Sequence, residues 1–171
     1  MDASEAIDRA PAVHAAEQQH AVSGGSDSSR RGSGEHLVLY DGVCGLCNRL
    51  VQFVLRHDER GRFDFASLQS ATGHTALERF GRNADDLDTV YVLTRYRGGQ
   101  SALHGKADVA MFVLATLGSG WRVVALLLRM LPKGVRNRGY DMVARHRYRV
   151  FGRYDTCLLP SAGTRNRFID V

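Results

Sequence analysis

Two cysteines, Cys44 and Cys47, lie three positions apart and are the residues best suited to chemistry in this chain. They follow an apolar run at residues 37–40 that predicts a buried strand, and a helical pattern begins directly after them. A thiol at the start of a helix has a lowered pKa, and a partner three positions later can close a disulfide with it. The spacing therefore predicts a redox site with Cys44 as the solvent-facing nucleophile. Cys47, on the apolar face of the helix, is expected to be less exposed and to act as the resolving thiol.

Asp41 lies three positions before Cys44 and is the third candidate residue of this site. Its carboxylate can cap the turn or the helix. It can instead accept a proton from Cys47, and a carboxylate so close would raise the pKa of a thiol by like-charge repulsion. The sequence leaves both roles open.

The same pair of thiols is also half of a zinc site. A structural zinc ion needs four ligands, commonly two such cysteine pairs or one pair with two spaced histidines. The chain has three cysteines and therefore no second pair, and no suitably spaced histidines follow the first. A redox site without metal or cofactor is the preferred interpretation, and a non-catalytic thiol or metal-binding module is the alternative.

Composition is typical of one soluble domain: 171 residues, 44 % hydrophobic and 24 % charged. Three cysteines are too few for a disulfide-stapled secreted protein, so a reducing compartment is expected, with the cytoplasm as the default. We expect no signal peptide in the first 35 residues, and no apolar run approaches the ~18 residues that cross a bilayer.

The positive charge is concentrated near the C-terminal end. Residues 121–153 contain nine Lys or Arg and a single acidic residue, Asp141. Such a region is typical of a solvated helical face, but it also suits binding to an anionic partner or a membrane surface. A further alternative is therefore a protein that docks on a partner through its basic C-terminal helices. No nucleic-acid motif is present, so no nucleic-acid partner is expected.

The remaining patterns predict the elements that position the cysteines. Residues 1–34, rich in Ser, Gly, Ala and Gln, predict a disordered tail, residues 35–160 a domain and residues 161–171 a second tail. Strands are predicted at 36–40, 63–67, 89–94 and 101–104, and helices at 44–57, 70–80, 106–117, 121–131 and 135–151. The first seven of these elements follow the order of a thioredoxin-like (glutaredoxin-like) α/β domain with a mixed sheet and flanking helices. The last two helices, separated by the helix-breaking Pro132, form a C-terminal extension.

Residues 40–48, Tyr-Asp-Gly-Val-Cys-Gly-Leu-Cys-Asn, resemble the signature of the DCC family of thiol-disulfide oxidoreductases, in which Asp41, Cys44 and Cys47 are the matching positions. Residues 65–70, 147–153 and 157–160 resemble further segments of that family, so the resemblance spans about residues 35–160. It implies a thioredoxin-like fold and exchange of disulfides. The implied partners are a disulfide-containing protein or small molecule and an external thiol reductant.

Two features near the end of the chain belong to this resemblance. Cys157 matches the family's C-terminal cysteine and is a candidate third redox thiol or a buried structural one. Arg147, Arg149 and Arg153 precede it and suit either ordinary ion pairs or the stabilisation of a thiolate or an anionic thiol such as glutathione. Prolines occur at positions 11, 132 and 160 alone, so the cis-proline of thioredoxins and glutaredoxins has no counterpart before the third predicted strand.

Overall fold

The computed structural model describes residues 33–83, 87, 89–154 and 163–170. The predicted N-terminal tail lies outside the described residues except for its last two positions, and Cys157 lies outside them as well.

The described residues form a mixed sheet with helices on both faces. The strands are β1 (His36–Tyr40), β2 (Phe63–Ser67), β3 (Tyr91–Thr94), β4 (Ala102–Gly105) and β5 (Phe168–Ile169). The helices are α1 (Gly45–His57), α2 (Ala71–Arg79), α3 (Ala107–Leu117), α4 (Ser119–Met130) and α5 (Lys133–Phe151).

Within the described residues, the strand order across the sheet is β4-β3-β1-β2-β5. Strands β1 and β2 are parallel and are joined by α1, whereas β3 and β4 form an antiparallel hairpin beside β1. This arrangement confirms the predicted mixed α/β, thioredoxin-like fold. It also places α1 directly after the central strand, so the loop between β1 and α1 lies at the carboxyl end of β1, in the middle of the sheet.

Alternation along β1 divides the core into two layers. Val38 and Tyr40 face α1 and α3, whereas Leu37 and Leu39 face the opposite layer with α2. Successive side chains of a strand point to opposite faces, and all five side chains of β1 are buried, so this strand is covered on both faces. The start of α1 is thereby fixed against a rigid central strand.

The predicted C-terminal extension consists of α4 and α5, separated at Pro132. Helix α4 packs on α3, and α5 packs against α1 and α3. Helix α5 therefore returns towards the end of the sheet that carries the two cysteines. None of the described helices is long and apolar enough to span a membrane.

Strand β5 lies within residues 161–171, which the sequence pattern assigned to a tail. It pairs in parallel with β2, where Phe65 is opposite Phe168 and Ala66 is opposite Ile169. The sequence gives little sign of it because a two-residue strand has no period to detect.

Candidate active site

Cys44 is the N-cap of α1. Its backbone is extended (φ −83°, ψ 121°), and its Sγ accepts a hydrogen bond from the backbone N–H of Cys47 at 3.4 Å. Side chains at this position accept from free amides of the first helical turn, where the helix dipole also favours an anion. No disulfide joins Cys44 to Cys47 in this structure.

The two thiols have opposite pKa shifts. Hydrogen bonding from the Cys47 side chain lowers the pKa of Cys44 to about 6, and the Cys47 amide and the charge of Arg147 act in the same direction against the cost of burial. The hydrogen bond to Cys44 raises the pKa of Cys47, and burial raises it further. These opposite shifts favour the thiolate form at Cys44 and the thiol form at Cys47.

Asp41 is almost fully buried beside this pair, at 1 % exposure. Its Oδ1 accepts hydrogen bonds from the backbone N–H of Val43 at 3.1 Å and from Nε2 of Gln69 at 2.8 Å. Its Oδ2 accepts from the Tyr148 hydroxyl and lies 3.6 Å from the guanidinium of Arg147. The carboxylate thus holds the turn, as one of its two predicted roles requires.

Arg147 reaches this network from α5 and is 3 % exposed. Its Nη2 donates to the carbonyl of Leu87 at 3.0 Å and to the Tyr148 hydroxyl at 2.8 Å. Arg147 thus forms the ion pair that was one of its two predicted roles. Its charge also helps to lower the pKa of Cys44, and the stabilisation of a thiolate stays a prediction. Arg149, in contrast, is exposed, and the guanidinium of Arg153 lies over the Tyr148 ring.

Residues 152–154, here called the C-terminal strap, run antiparallel to the loop that ends at Cys44. The amide of Gly45 donates to the carbonyl of Gly152 at 3.1 Å, and the amide of Tyr154 donates to the carbonyl of Val43 at 2.8 Å. Cys44 and Arg153 form the bridge between these two hydrogen bonds.

The strap accompanies a clear departure from the sequence-based prediction. Cys44 was expected to face solvent, yet it is 0 % exposed, while Cys47 is 4 % exposed. The prediction of exposure was wrong because the covering segment is about a hundred residues distant in sequence, and no local pattern reveals it.

Gly45 makes this close approach between α1 and α5 feasible. A Cβ at this position would lie 2.1 Å from the carbonyl oxygen of Phe151, well inside van der Waals contact. The glycine between the cysteines is thus a packing requirement in this fold, and no sequence pattern predicts it.

Three further side chains support the site and were not predicted from the sequence. Nδ2 of Asn48 donates to the carbonyls of Gly42 at 2.9 Å and Cys44 at 3.1 Å, which fixes the loop on the helix. Gln69 links this loop to the end of β2, and the Tyr148 hydroxyl donates to Asp41. Gln69 and Tyr148 lie in two of the segments that resemble the DCC family. That resemblance was the one sequence feature that could have pointed to them as site residues.

The structure thus brings Asp41, Cys44 and Cys47 together, as the spacing predicted. Cys157 lies outside the described residues, and its role stays a prediction. Among the residues that the structure describes, no three His, Cys, Asp or Glu side chains are grouped so as to hold a metal ion.

A family model described as DCC1-like thiol-disulfide oxidoreductase matches residues 38–153. The chain belongs to this family. The match begins in β1 and ends in the C-terminal strap, so it includes both the cysteine pair and α5.

Two relatives resemble most of the chain. It is 37 % identical over 133 residues to the uncharacterized protein YuxK of Bacillus subtilis (strain 168), covering 78 % of this chain and 93 % of the relative. It is 35 % identical over 123 residues to the chloroplastic DCC family protein At1g52590 of Arabidopsis thaliana, covering 72 % of this chain and 69 % of the relative. No solved structure matches the chain.

Proposed function

We propose that this protein is an oxidoreductase that exchanges disulfides through Cys44 and Cys47, and that it acts as a protein-disulfide reductase. The observation that carries the proposal is the hydrogen bond that the Cys47 amide donates to the Cys44 sulfur at 3.4 Å. Both the amide and the thiol of Cys47 act on the sulfur of Cys44, and both lower its pKa. A thiolate, not a thiol, attacks a disulfide, so this arrangement prepares Cys44 as the nucleophile.

The proposed reaction has two steps. The Cys44 thiolate attacks one sulfur of a substrate disulfide, forms a mixed disulfide and releases the other substrate sulfur as a thiolate. Cys47 then loses its proton and attacks the Cys44 sulfur, which forms the Cys44–Cys47 disulfide and releases the second substrate thiolate. Two electrons pass to the substrate, and an external thiol reductant restores the dithiol.

Cys47 needs a base for the second step, and Asp41 is the candidate. Its charge contributes to the raised pKa of Cys47, which means that the carboxylate lies within electrostatic reach of that thiol. Once Cys44 is in a mixed disulfide, it no longer carries the negative charge that raises the pKa of Cys47. The proton then leaves Cys47 more readily, and we propose that Asp41 accepts it.

A reducing compartment such as the cytoplasm suits this cycle because the dithiol must be regenerated by a thiol reductant. The substrates proposed are disulfide-containing proteins or small molecules.

The test is a redox titration of the purified chain, read by mass after alkylation across a glutathione or dithiothreitol series. A single two-electron transition that disappears in Cys44→Ser and persists in Cys157→Ser is expected. In turnover with a disulfide substrate, Cys47→Ser should accumulate a mixed disulfide on Cys44. If no disulfide forms at any redox potential of the series, or if retained metal blocks both thiols, the oxidoreductase proposal is wrong. The protein is then better described as a metal-binding module.

A second function is favoured by the outer face of α4. Leu126, Leu127 and Met130 are 63 %, 58 % and 79 % exposed, while Ala125 on the opposite side is buried against the domain. Contiguous exposed apolar side chains of this size usually mark an interaction surface.

The charge beside this face indicates the partner. Arg122 and Arg129 lie on α4 itself, on either side of Leu126 and Leu127 in sequence. The exposed Arg138, Arg145 and Arg149 of α5 add to the positive charge of the C-terminal helices, and no described carboxylate lies within ion-pair distance of these three. Apolar side chains bordered by arginines suit the surface of an anionic bilayer, where the apolar groups enter the interface and the guanidinium groups bind phosphate. We propose this surface contact as the second function.

Co-sedimentation with phosphatidylglycerol vesicles and with phosphatidylcholine vesicles tests the contact. Binding to the anionic vesicles alone is expected; it should weaken in Met130→Glu and be unchanged in Thr75→Glu, an exposed helical position on α2. The Cys44→Ser/Cys47→Ser variant should bind as well as the original chain. Equal sedimentation with and without vesicles, together with concentration-dependent dimers, would instead assign this face to self-association.

A further inference from the structure

A cavity of about 210 Å³ lies between α1, α3 and α5, and Cys47 forms part of its wall. Its apolar lining comes from all three helices: Leu46, Leu50, Val109, Ala110, Val143 and Ala144. Cys47 is nearly fully buried, whereas Val143 is 43 % exposed and Ala110 is also exposed. The cavity therefore extends from the surface to Cys47.

Three polar side chains in the wall, Tyr140, Arg147 and Lys106, already have partners in the protein. The Tyr140 hydroxyl accepts a hydrogen bond from the amide of Val90 at 3.0 Å. Arg147 binds Asp41 and the Leu87 carbonyl, and Lys106 pairs with Asp141 at 3.0 Å. An incoming charged group would lose its hydration with little compensation, so the cavity selects against it.

The volume of the cavity further limits which ligands can enter it. An apolar cavity of about 150 Å³ lined by aliphatic and aromatic side chains holds benzene, so a cavity of 210 Å³ holds a phenyl ring or a branched aliphatic side chain.

We propose that this cavity is a specificity pocket for an apolar side chain, leucine or phenylalanine in kind, adjacent to the cysteine of a disulfide substrate. The inference rests on the proposed disulfide exchange. A substrate sulfur bonded to Cys44 lies one helical turn from Cys47, and neighbouring Cα atoms of a peptide are about 3.8 Å apart, so the side chain next to the substrate cysteine reaches the pocket. Peptide and protein disulfides with apolar neighbours are thus the preferred substrates.

The test compares symmetric disulfides of short peptides, acetyl-X-Cys-amide and acetyl-Cys-X-amide, with X as Gly, Asp, Leu or Phe. The full chain turns them over with dithiothreitol as reductant, and Cys44→Ser gives the uncatalysed background. In at least one series, kcat/KM is expected to be about tenfold or more higher for Leu and Phe than for Gly, and lowest for Asp.

Variants connect this preference to the pocket. Val143→Trp should fill its mouth and bring the Leu-to-Gly ratio of kcat/KM towards one. Val150→Trp, a substitution of the same type at an exposed position of the same helix outside the pocket, should leave the ratio unchanged. Ala110→Phe blocks the opposite rim from α3 and should act like Val143→Trp.

The outcomes separate the two proposals. Equal kcat/KM values for all peptides, or a preference that survives both pocket-filling variants, would overturn the pocket while disulfide exchange stands. A chain that reduces none of the peptides above background, with no redox transition of its own, would overturn the exchange and the pocket together.

Discussion

Cys44 and Cys47 lie within one helical turn, yet their surroundings act on the two thiols in opposite directions. Cys44 accepts hydrogen bonds that stabilise its anion. Cys47 donates one of those bonds through its thiol and keeps its own proton. The order of attack in the proposed reaction follows from this difference. Gly45 and Leu46, the two residues between the cysteines, carry no charge, so the difference between the thiols does not come from them.

The stability of the reduced protein should depend on pH through Cys44. The pKa of this thiol is lowered from an ordinary value of 9.0 to about 6, so between these values the unfolded chain binds one more proton than the folded chain. The free energy of unfolding should rise with pH across this window, by up to ~1.4 kcal/mol per unit, and this contribution should be lost as the pH falls through about 6.

Urea unfolding at a series of pH values, together with the ultraviolet absorbance of the thiolate, checks this expectation. Cys44→Ser removes the contribution and serves as the baseline for other titrating groups, including the buried His36. A thiolate signal that appears only near pH 9 would contradict the arrangement.

Arg147→Met should be strongly destabilising because it leaves the Asp41 carboxylate buried without its cationic partner. Removal of one member of a buried ion pair costs about 3–5 kcal/mol. The pKa of Cys44 should also rise, since the Arg147 charge helps to lower it.

The double variant Arg147→Met/Asp41→Asn provides the control. It removes both charges and should recover part of the lost stability, and the resulting cycle gives the coupling between the two residues. Additive losses in the double variant would show that the pair is not coupled.

At the scale of elements, α5 has three separate effects on the site. It supplies Arg147 and Tyr148 to Asp41, it forms one wall of the apolar pocket, and it leads into the C-terminal strap. A change in the position of this one helix would therefore alter the pKa of Cys44, the pocket and the access to Cys44 together.

Tyr154→Pro should increase the accessibility of Cys44. Proline lacks the amide that bonds to the Val43 carbonyl, and a residue before proline favours the extended backbone that Arg153 already has in its bridge. Loss of one hydrogen bond, ~1 kcal/mol, corresponds to an opening of the strap that is about fivefold more populated.

The rate of Cys44 alkylation, read by mass, measures this opening. Tyr154→Ala keeps the amide and should alkylate at nearly the original rate. Equal rates for the proline and alanine variants would mean that the strap does not control access.

Local patterns predicted most of these elements. The apolar run before Cys44 and the period after Cys47 are enough to locate β1 and α1, and Pro132 separates α4 from α5 as expected. The pairing of Arg147 with Asp41 and the burial of Cys44 arise from contacts between residues more than a hundred positions apart, which no short period encodes. Those contacts decide the electrostatics and the access of the site.

At the scale of the whole molecule, β5 fastens the end of the described chain to the sheet. Phe168 is buried between Tyr40 and Phe65, with ring centroids 6.5 Å and 5.3 Å away. Arg167 beside it pairs with the buried Asp58 and donates to the Phe63 carbonyl. A segment that looks like a tail in sequence thus completes one side of the core.

Phe168→Ala should lower the free energy of unfolding by about 3–5 kcal/mol, the usual cost of deleting a buried phenyl ring. Val150→Ala at an exposed position should change it by no more than ~0.5 kcal/mol. Urea unfolding of both variants checks this. A loss below 1 kcal/mol for Phe168→Ala would show that β5 contributes little to the fold.

The pairing of β5 with β2 also affects how the protein is made. Residue 168 is added to the chain about 100 positions after its partner in β2. At ~5–20 residues per second of synthesis, one edge of β2 stays unpaired for roughly 5–20 s, until the ribosome has added β5. An unpaired apolar edge invites pairing with other chains, so nascent copies of this protein are most prone to aggregate, and most in need of a chaperone, in the interval before β5 emerges.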